Sequence, residues 1–392
     1  MTAQVVAGAS QFVLQSAISA YSDEAYTNAR KLSGTGIVGD NPNIDTSTET
    51  FIGQVRWFKP LNPTINVASL TDATDGTPTD YGSDFLNYIK TVRTHGAKKV
   101  NMQQVVTQQD GLAKVGRDFA ETRAQDEHNA ILAVCKGVAI SEALYGAGSA
   151  SGQAGLGGQT FENDPTSKRY GFYVDLGANK PVGAATSAVH GAARAESFLQ
   201  AFGMAYKDYE PEYAYLVTSP EIMASLRSAN LVDDTPVVDG NITFNTIFQG
   251  KFRIIQTRAT QSLASAELAK LNAGAGVDIV GTKTSFIVLP GAIAMKSLDV
   301  PDSVEITRNG NAYKGGGTTT IWYRWGFVLA PAGYDWNGAK EAFPADADYM
   351  SVVEGGVQKA LTAVTSTDAA AGVWSRKATS ALSLGILPVF HS

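Results

Sequence analysis

The sequence contains one cysteine, four histidines and few charged residues. Charged residues make up 17% of its 392 residues and hydrophobic residues 44%, whereas about a quarter of an average globular chain is charged. A single cysteine, Cys135, excludes an internal disulfide. The histidines are scattered singly and there is no cysteine pair, so no metal site and no cofactor is predicted. No window approaches about 18 consecutive apolar residues, so no membrane-spanning helix is predicted either.

Clustered cations are also missing. The formal net charge is −6, and Lys and Arg never occur in runs longer than two. Binding to a nucleic-acid backbone depends on clustered cations, so tight, general nucleic-acid binding is not predicted. Gly, Ala, Thr and Ser take the place of charge, and such a surface suits burial against neighbouring chains.

One stretch, AETRAQDEHNAILAVCKGV at 120–138, resembles a catalytic site because it joins acids, a histidine and the cysteine. The stretch is predicted to be helical. Asp126 and His128 then point about 200° apart, and Cys135 lies about 10 Å along the axis from His128. No dyad forms within such a helix, so no catalytic residue is predicted. No phosphate-binding loop, calcium loop or G-x-S-x-G elbow is present elsewhere.

The first half of the chain divides into three kinds of segment. Residues 1–50 are polar and weakly periodic, which predicts an arm that is ordered only by partners, with an ordinary frayed terminus as the alternative. In residues 51–106, apolar and polar side chains partly alternate with a period of two residues. This pattern predicts a long hairpin that reaches away from its own core, or an edge hairpin of an ordinary sheet. Residues 110–145 predict a helix of about 50 Å, and the glycine-rich stretch 146–158 predicts a loop.

The second half alternates helices with strands, which predicts an α+β body. Helices are predicted over ARAESFLQAFGMAYKDY and PEIMASLRSAN, the latter with Pro220 in its first turn. Strands are predicted over YAYLVTS, FRIIQTR, SFIVLPGAIAMKS, SVEITRNG and TTTIWYRWGFVLAP. The aromatic cluster IWYRWGF (321–327) could stack nucleobases, but alternating strand faces favour a core and a subunit contact.

Several of these segments, in this order, resemble the major capsid protein of tailed double-stranded DNA bacteriophages, which has the Hong Kong ninety-seven-like fold. The resemblance runs across most of the chain from about residue 50. It is carried by NAILAVCKGV, AYLVTSPEIMASLRSANLVDD, TFNTIFQGKFRIIQTRAT, the stretch from TSFIVLPGAIAMKS to APAGYDW, and WSRKATSALSLGILPVF. The sequence departs from the family pattern at Ala330, where a His is usual, and at Gln256-Thr257, where an acid pair is usual; these departures leave the subfamily open.

The resemblance implies a place for each segment. Residues 1–50 form the N-terminal arm and 51–106 the extended hairpin loop, which lies over a neighbouring subunit. The peripheral domain takes 107–200, with the spine helix at 110–145, and resumes at 290–345. Residues 201–289 form the axial domain, and 346–392 have no assigned place.

From these features we predict two groups of subunit contacts on the hairpin. Trp57, Phe58, Tyr88 and Ile89 are expected to dock the hairpin onto the adjacent subunit. Lys98-Lys99, together with Arg93, are expected to meet acidic groups across that contact.

The resemblance implies a structural protein rather than an enzyme. Its copies would form hexamers and pentamers of an icosahedral shell around the phage genome, without sequence-specific DNA binding and without a membrane. The virion capsid would be its location, after assembly in the bacterial host cytoplasm. Scaffolding, portal and decoration proteins would be its further partners. Two alternatives stay open: an encapsulin-like nanocompartment shell, and a hydrolase that uses His128 and Cys135.

Overall fold

A computed structural model describes residues 26, 30, 32–58, 83–100, 111–147, 171–175, 195–206, 211–233, 236–239, 242–258, 263–273, 279, 281, 283–309, 317–366, 370–377 and 383–391. The helices are α1 Gly111–Ala147, α2 Ala195–Tyr206, α3 Pro220–Ser228, α4 Ser265–Leu271 and α5 Asp346–Tyr349, with 3₁₀ helices at Leu32–Gly34 and Leu361–Ala363. None of these α-helices is long and apolar enough to cross a membrane.

The strands follow in chain order. They are β1 Val38–Gly39, β2 Ile52–Phe58, β3 Ser83–Val100, β4 Val174–Asp175, β5 Ala214–Thr218, β6 Val237–Asp239, β7 Ile242–Ile247, β8 Phe252–Gln256, β9 Lys283–Val288, β10 Ile293–Ser297, β11 Val304–Asn309, β12 Thr318–Pro331, β13 Tyr334–Trp336, β14 Val352–Glu354, β15 Val357–Lys359, β16 Ala370–Gly372, β17 Trp374–Arg376 and β18 Ile386–His391. The mixed α+β class predicted from the sequence is confirmed.

Helix α1 runs through the interior of the molecule. From Ala130 to Leu144 its side chains are buried on every side except at Lys136, which is only partly exposed. A helix that is apolar all round is typical of a core position rather than of a surface. The helix predicted at 110–145 is therefore observed almost to its predicted ends, and it is the element around which the rest of this core packs.

A six-stranded sheet contains the two longest strands. Its order is β1-β10-β12-β3-β2, and β11 pairs with the first half of β12. Strand β12 pairs antiparallel with β3 from Thr318↔Val100 to Leu329↔Ile89. Beyond that register, Ser83–Tyr88 of β3 pair with β2 alone among the described strands. The β2–β3 hairpin therefore extends past the end of its neighbour β12.

Both faces of this sheet are covered near its centre. Ile89 and Phe327 belong to the main core, whereas Tyr88 and Val328, which point the other way, join a second small core with Ile44. Ile44 comes from the segment 41–50, which lies across that second face. The prediction that residues 1–50 form an arm ordered only by partners is wrong for 32–50, because Leu32, Ile37 and Ile44 are buried in this chain.

A seven-stranded sheet of order β4-β18-β9-β5-β8-β7-β6 forms the other main layer. The C-terminal strand β18 is inserted between β4 and β9, so residues 386–391 are integral to this layer. Helix α3 follows β5 directly. Ser219 caps it by accepting a hydrogen bond from the Ile222 amide (3.5 Å), and Pro220 occupies its first turn as predicted.

The segment from β13 to β17 packs against α1. Three rings, those of Trp336, Tyr349 and Trp374, are all buried, with the two indole centroids 4.9 Å apart. The Trp374 indole donates to the Tyr349 carbonyl (3.1 Å). Helix α1 passes close to this cluster at Gly137, where no side chain separates the two backbones.

Replacing Gly137 with alanine is expected to destabilise the chain by about 3 kcal/mol, because an added methyl overpacks a filled core. The new Cβ would lie 1.9 Å from the Tyr349 carbonyl oxygen and 2.9 Å from the Trp374 ring. The free energy of unfolding, from urea titration followed by circular dichroism, measures this.

The matched control is Gly203→Ala in α2, since no atom lies within 4 Å of a Cβ there. This change should stabilise the chain by about 0.5–1 kcal/mol, the ordinary helix preference for alanine. Similar unfolding free energies for the two variants would contradict the packing described for Gly137.

Candidate assembly surfaces

The stretch that resembled a catalytic site is part of the core. Cys135 is 2% exposed, and burial raises the pKa of its thiol to about 12, so the reactive thiolate is suppressed. His128 is also buried, with its Nε2 3.1 Å from the Thr257 hydroxyl. The described residues contain no group of three or more His, Cys, Asp or Glu side chains that could hold a metal ion.

Arg123 and Glu127, in the first half of α1, are engaged inside the chain, whereas Lys114, Arg117, Asp118 and Glu121 of the same helix are exposed. Glu127 is completely buried and accepts hydrogen bonds from Tyr26 and from Arg123 Nε (3.0 Å). The Arg123 guanidinium lies 4.0 Å from the centroid of the Tyr26 ring and donates to Ser297 (3.2 Å). Tyr26 and Ser297 are distant in sequence, so no local pattern could reveal this network.

Arg93, predicted to contact a neighbouring subunit, forms ion pairs within its own chain. Its guanidinium lies 2.9 Å from Asp346 and 3.5 Å from Asp126. Trp325 Nε1 donates to the other Asp126 oxygen (3.0 Å). Burial raises the pKa of Asp126, and these hydrogen bonds and the positive charge oppose that shift. Arg93 therefore links β3, α1 and α5 within one chain, and its intersubunit role stays a prediction.

Tyr88 and Ile89, predicted to dock onto a neighbour, are 1% and 0% exposed. Tyr88 lies in the second small core, and its hydroxyl accepts a hydrogen bond from the Asp45 amide (2.8 Å). Ile89 lies in the main core. Neither side chain reaches the surface, because β3 is covered on both faces at this point, so both are corrected to core residues.

Next to them, Lys90 is fully buried, and residues 45–50 of the N-terminal segment compensate its charge. Its ammonium donates to the Asp45 carboxylate (2.7 Å), the Ser47 carbonyl (2.7 Å) and the Thr50 hydroxyl (3.2 Å). The hydrogen bond from Lys90 holds the pKa of Asp45 well below its usual range. We call residues 41–50 the latch, because they fasten the chain entering β2 onto the second face of the sheet.

The remaining predicted contact residues stay predictions. Trp57 and Phe58 occupy the last positions of β2, and Lys99 occupies the penultimate position of β3, but their side chains lie outside the described part. Lys98 is described and exposed. Of the residues predicted from the sequence, Lys98 is therefore the one whose described side chain is free to meet another molecule.

Exposed apolar side chains mark further surfaces that sequence reasoning did not single out. Phe85 on the projecting hairpin is 54% exposed, and Val238 on the edge strand β6 is 67% exposed. Trp322 is 40% exposed, although its neighbours Tyr323 and Trp325 are buried as core residues, as expected for alternate positions of a strand. The sequence cluster 321–327 pointed to Trp322 without showing on which side it would lie.

A shallow apolar cavity of about 480 Å³ lies where the latch, the hairpin base and the sheet meet. Its walls include Ile44 and Tyr88, with Pro290 and Pro331 from the turns beside β10 and β12. Its lining also includes the titratable side chains of Asp40, Arg56 and Tyr334.

No family model matches the sequence, and no curated protein is similar to it. Among solved structures, the chain is similar to the capsid of Ralstonia phage GP4, with 13% identity and a TM-score of 0.45, over 76% of this chain and 83% of that one. A Mycobacterium phage Che8 structure has 12% identity and a TM-score of 0.42, over 75% and 85%. The capsid of Cyanophage P-SCSP1u has 12% identity and a TM-score of 0.40, over 73% and 81%. All three come from bacteriophages.

Replacing Asp45 with asparagine should lower the melting temperature at pH 7, because the buried Lys90 ammonium loses its carboxylate. In the folded chain the pKa of Asp45 lies below its unfolded value. The stabilisation is therefore complete above about pH 4, the unfolded value, and is lost as the pH falls through the lower folded value. Melting curves from pH 7 downwards should show the wild type and Asp45→Asn converging in acid.

The control is Asp40→Asn, which changes an exposed aspartate five positions earlier that has no ion pair among the described residues. It should leave the melting temperature unchanged across the same range. A difference between wild type and Asp45→Asn that does not vary with pH would contradict the latch interaction.

Two truncations separate the part of the N-terminus that packs on the body from the part before it. Removing residues 1–25 should leave the melting temperature near that of the wild type, since Tyr26 and the latch remain. Removing residues 1–50 takes away β1, the buried Leu32, Ile37 and Ile44, and every described partner of the Lys90 ammonium group. We expect that variant to unfold or aggregate, as followed by circular dichroism and light scattering; equal melting temperatures for the two truncations would refute the role given to 32–50.

Proposed function

We propose that this chain is the major capsid protein of a tailed double-stranded DNA bacteriophage. Copies of it associate into hexamers and pentamers that close an icosahedral shell around the genome. The chain acts as a structural component and not as an enzyme. Its place is the virion capsid, reached after assembly in the host cytoplasm, and scaffolding, portal and decoration proteins are its further partners.

The projecting hairpin is the observation that carries this proposal. Ser83–Tyr88 of β3 pair with β2 alone, past the end of β12, and Phe85 in this part is 54% exposed. A two-stranded hairpin is at best marginally stable in water. A chain that keeps such a hairpin with an exposed aromatic ring gains stability when the hairpin lies on another molecule, and repeated copies supply that molecule.

The base of the hairpin is held firmly enough to transmit such a contact. The Asn87 amide donates to Asp335 of β13 (2.5 Å), and the latch fastens β3 from the other face through Lys90. A fixed base lowers the entropy that the hairpin loses on docking, which favours association. Many modest contacts made in this way, around every copy, add up through multivalency.

The segments expected from the resemblance fit this role. The hairpin loop 51–106 lies over a neighbour, with Trp57, Phe58, Lys98 and Lys99 among its contacts. The peripheral domain comprises 107–200 and 290–345 around α1, and the axial domain 201–289 meets its copies at the centre of each capsomer. We propose that 386–391 also belong to the axial domain, because β18 pairs with β9, which lies within 201–289.

The overexpressed chain, with a scaffolding protein if one is needed, should form closed shells of uniform diameter in negative-stain electron microscopy. Cys135→Ala should form the same shells, because the thiol is buried and takes no part in chemistry. Packaged DNA identifies a virus, whereas packaged protein cargo would identify a nanocompartment.

Chains that stay monomeric at every concentration would contradict the proposal. Hydrolytic activity that Cys135→Ala abolishes would instead support the hydrolase alternative.

A further inference from the structure

A short turn connects the two main sheets directly. The chain leaves the seven-stranded sheet at Val288 and enters the six-stranded sheet at Ile293, so only residues 289–292 lie between them. Gly291 in this turn has a φ of 68°, a conformation that favours glycine. A few residues at the ends of two packed elements are the usual place where a change in their mutual angle is absorbed.

A segment from the N-terminal region runs beside this turn and contacts both sheets. We call residues 32–40 the strap. The Gly36 carbonyl accepts a hydrogen bond from the Gly291 amide (2.8 Å), and the Ile37 carbonyl accepts one from the Ile293 amide (3.2 Å). Strand β1, at the end of the strap, then pairs in parallel with β10. The strap is therefore bonded to the six-stranded sheet and to the turn.

On the seven-stranded sheet, the strap lies against Tyr215 of the central strand β5. A Cβ added to Gly36 would lie 2.4 Å from the Tyr215 hydroxyl oxygen, so strap and ring are in tight contact. Tyr215 is completely buried, with the Phe244 ring centroid 5.7 Å from its own. Arg253 donates to the Tyr215 hydroxyl (3.4 Å). The ring is thus held from several sides and cannot withdraw from the strap without disturbing the sheet.

The strap is itself braced at this point. The Thr35 hydroxyl donates to the Leu32 carbonyl (2.8 Å) and accepts from the Ile37 amide (3.4 Å). Leu32 and Ile37 are both 1% exposed and belong to the main core. Because a packed interior is hardly compressible and transmits displacement, a strap anchored in this way keeps a fixed distance between Tyr215 and β10.

We propose that the strap sets the angle between the two sheets and, through that angle, the diameter of the shell. The inference rests on the proposed function and adds how the curvature of the shell is set. Turn 289–292 is the hinge. Since the strap is bonded to β10, a rotation that closes the sheets at this turn presses Gly36 against Tyr215. Rings of identical copies close at a curvature fixed by the geometry of each copy, so a change in this angle changes the curvature.

One added methyl group tests this contact. Gly36→Ala should push the strap and Tyr215 apart, and negative-stain electron microscopy should show a shifted or broadened distribution of shell diameters. Combining it with Tyr215→Phe removes the hydroxyl that the methyl meets, and the nearest remaining ring atom, Cζ, lies 3.3 Å from the new Cβ. The double variant should return to the wild-type diameter, and Tyr215→Phe alone should keep it.

Gly281→Ala is the matched control. Its Cβ would lie 2.4 Å from the His391 amide nitrogen, an equally close contact beside β18 whose nearest atoms include none of the strap. It should lower the melting temperature at least as much as Gly36→Ala, because backbone must move, while its shells keep the wild-type diameter. If Gly36→Ala does not fold, Gly39→Ala replaces it; its Cβ would lie 3.1 Å from the Gly291 Cα, and it too should shift the diameter.

The angle is also measurable in the unassembled chain. Spin labels on Lys98→Cys and Arg227→Cys, two exposed positions on the six-stranded sheet and on α3, report the distance between the sheets by double electron–electron resonance. Cys135→Ala removes the native thiol from this background. Gly36→Ala should shift the distance distribution, whereas Gly281→Ala and the double variant with Tyr215→Phe should match the wild type.

The outcomes separate this inference from the proposed function. Wild-type shells together with an unchanged diameter and an unchanged distance in Gly36→Ala would overturn the role of the strap alone. A shift that Tyr215→Phe does not reverse would overturn the contact named as its cause, and a shifted distance with an unchanged diameter would overturn the link to shell size. A wild type that never assembles would overturn the proposed function, and the distance measurement would still decide whether the strap sets the angle.

Discussion

The antiparallel ladder between β3 and β12 is the constraint on which the other features of the molecule depend. It spans Ile89–Val100 and Thr318–Leu329, two segments more than 200 residues apart in sequence, and is among the longest pairings in the fold. Because β3 continues past the ladder, one strand serves both as the centre of a sheet and as one arm of a projecting hairpin. The body therefore fixes the direction of the hairpin without a hinge between them.

This ladder also explains the buried charges. A central strand that is covered on both faces has no solvent-facing side, so polar side chains at alternate positions must find partners within the chain. Lys90 meets the latch on one face, and Arg93 meets Asp126 and Asp346 on the other. Removing one partner of such a pair is costly, whereas the pair itself adds little net stability. These pairs are better understood as fixing how the latch, α1 and α5 attach to β3.

The sequence was sufficient for elements whose signals are local. The helix predicted at 110–145 is observed at Gly111–Ala147, and the strand predicted for TTTIWYRWGFVLAP is observed at Thr318–Pro331. The position of Pro220 at a helix start was also predicted, because capping depends on neighbouring residues. The predictions that failed all concerned which other part of the chain covers a given side chain. Alternation along β3 suggested exposed positions at Tyr88, but whether both faces are covered depends on Ile44, more than 40 residues away.

The same reasoning explains why a surface with few charges can still be specific. Several of the cations that could attract an acidic partner are held within the chain, as Arg93, Arg123 and Lys90 are. Fewer are left free, so the position of each free cation carries more information about where a partner binds. Lys98 and Arg308 stand at the end of β3 opposite to the hairpin. The exposed Lys98 near one end of β3 and the exposed Phe85 near the other give this long strand different chemistry at its two ends.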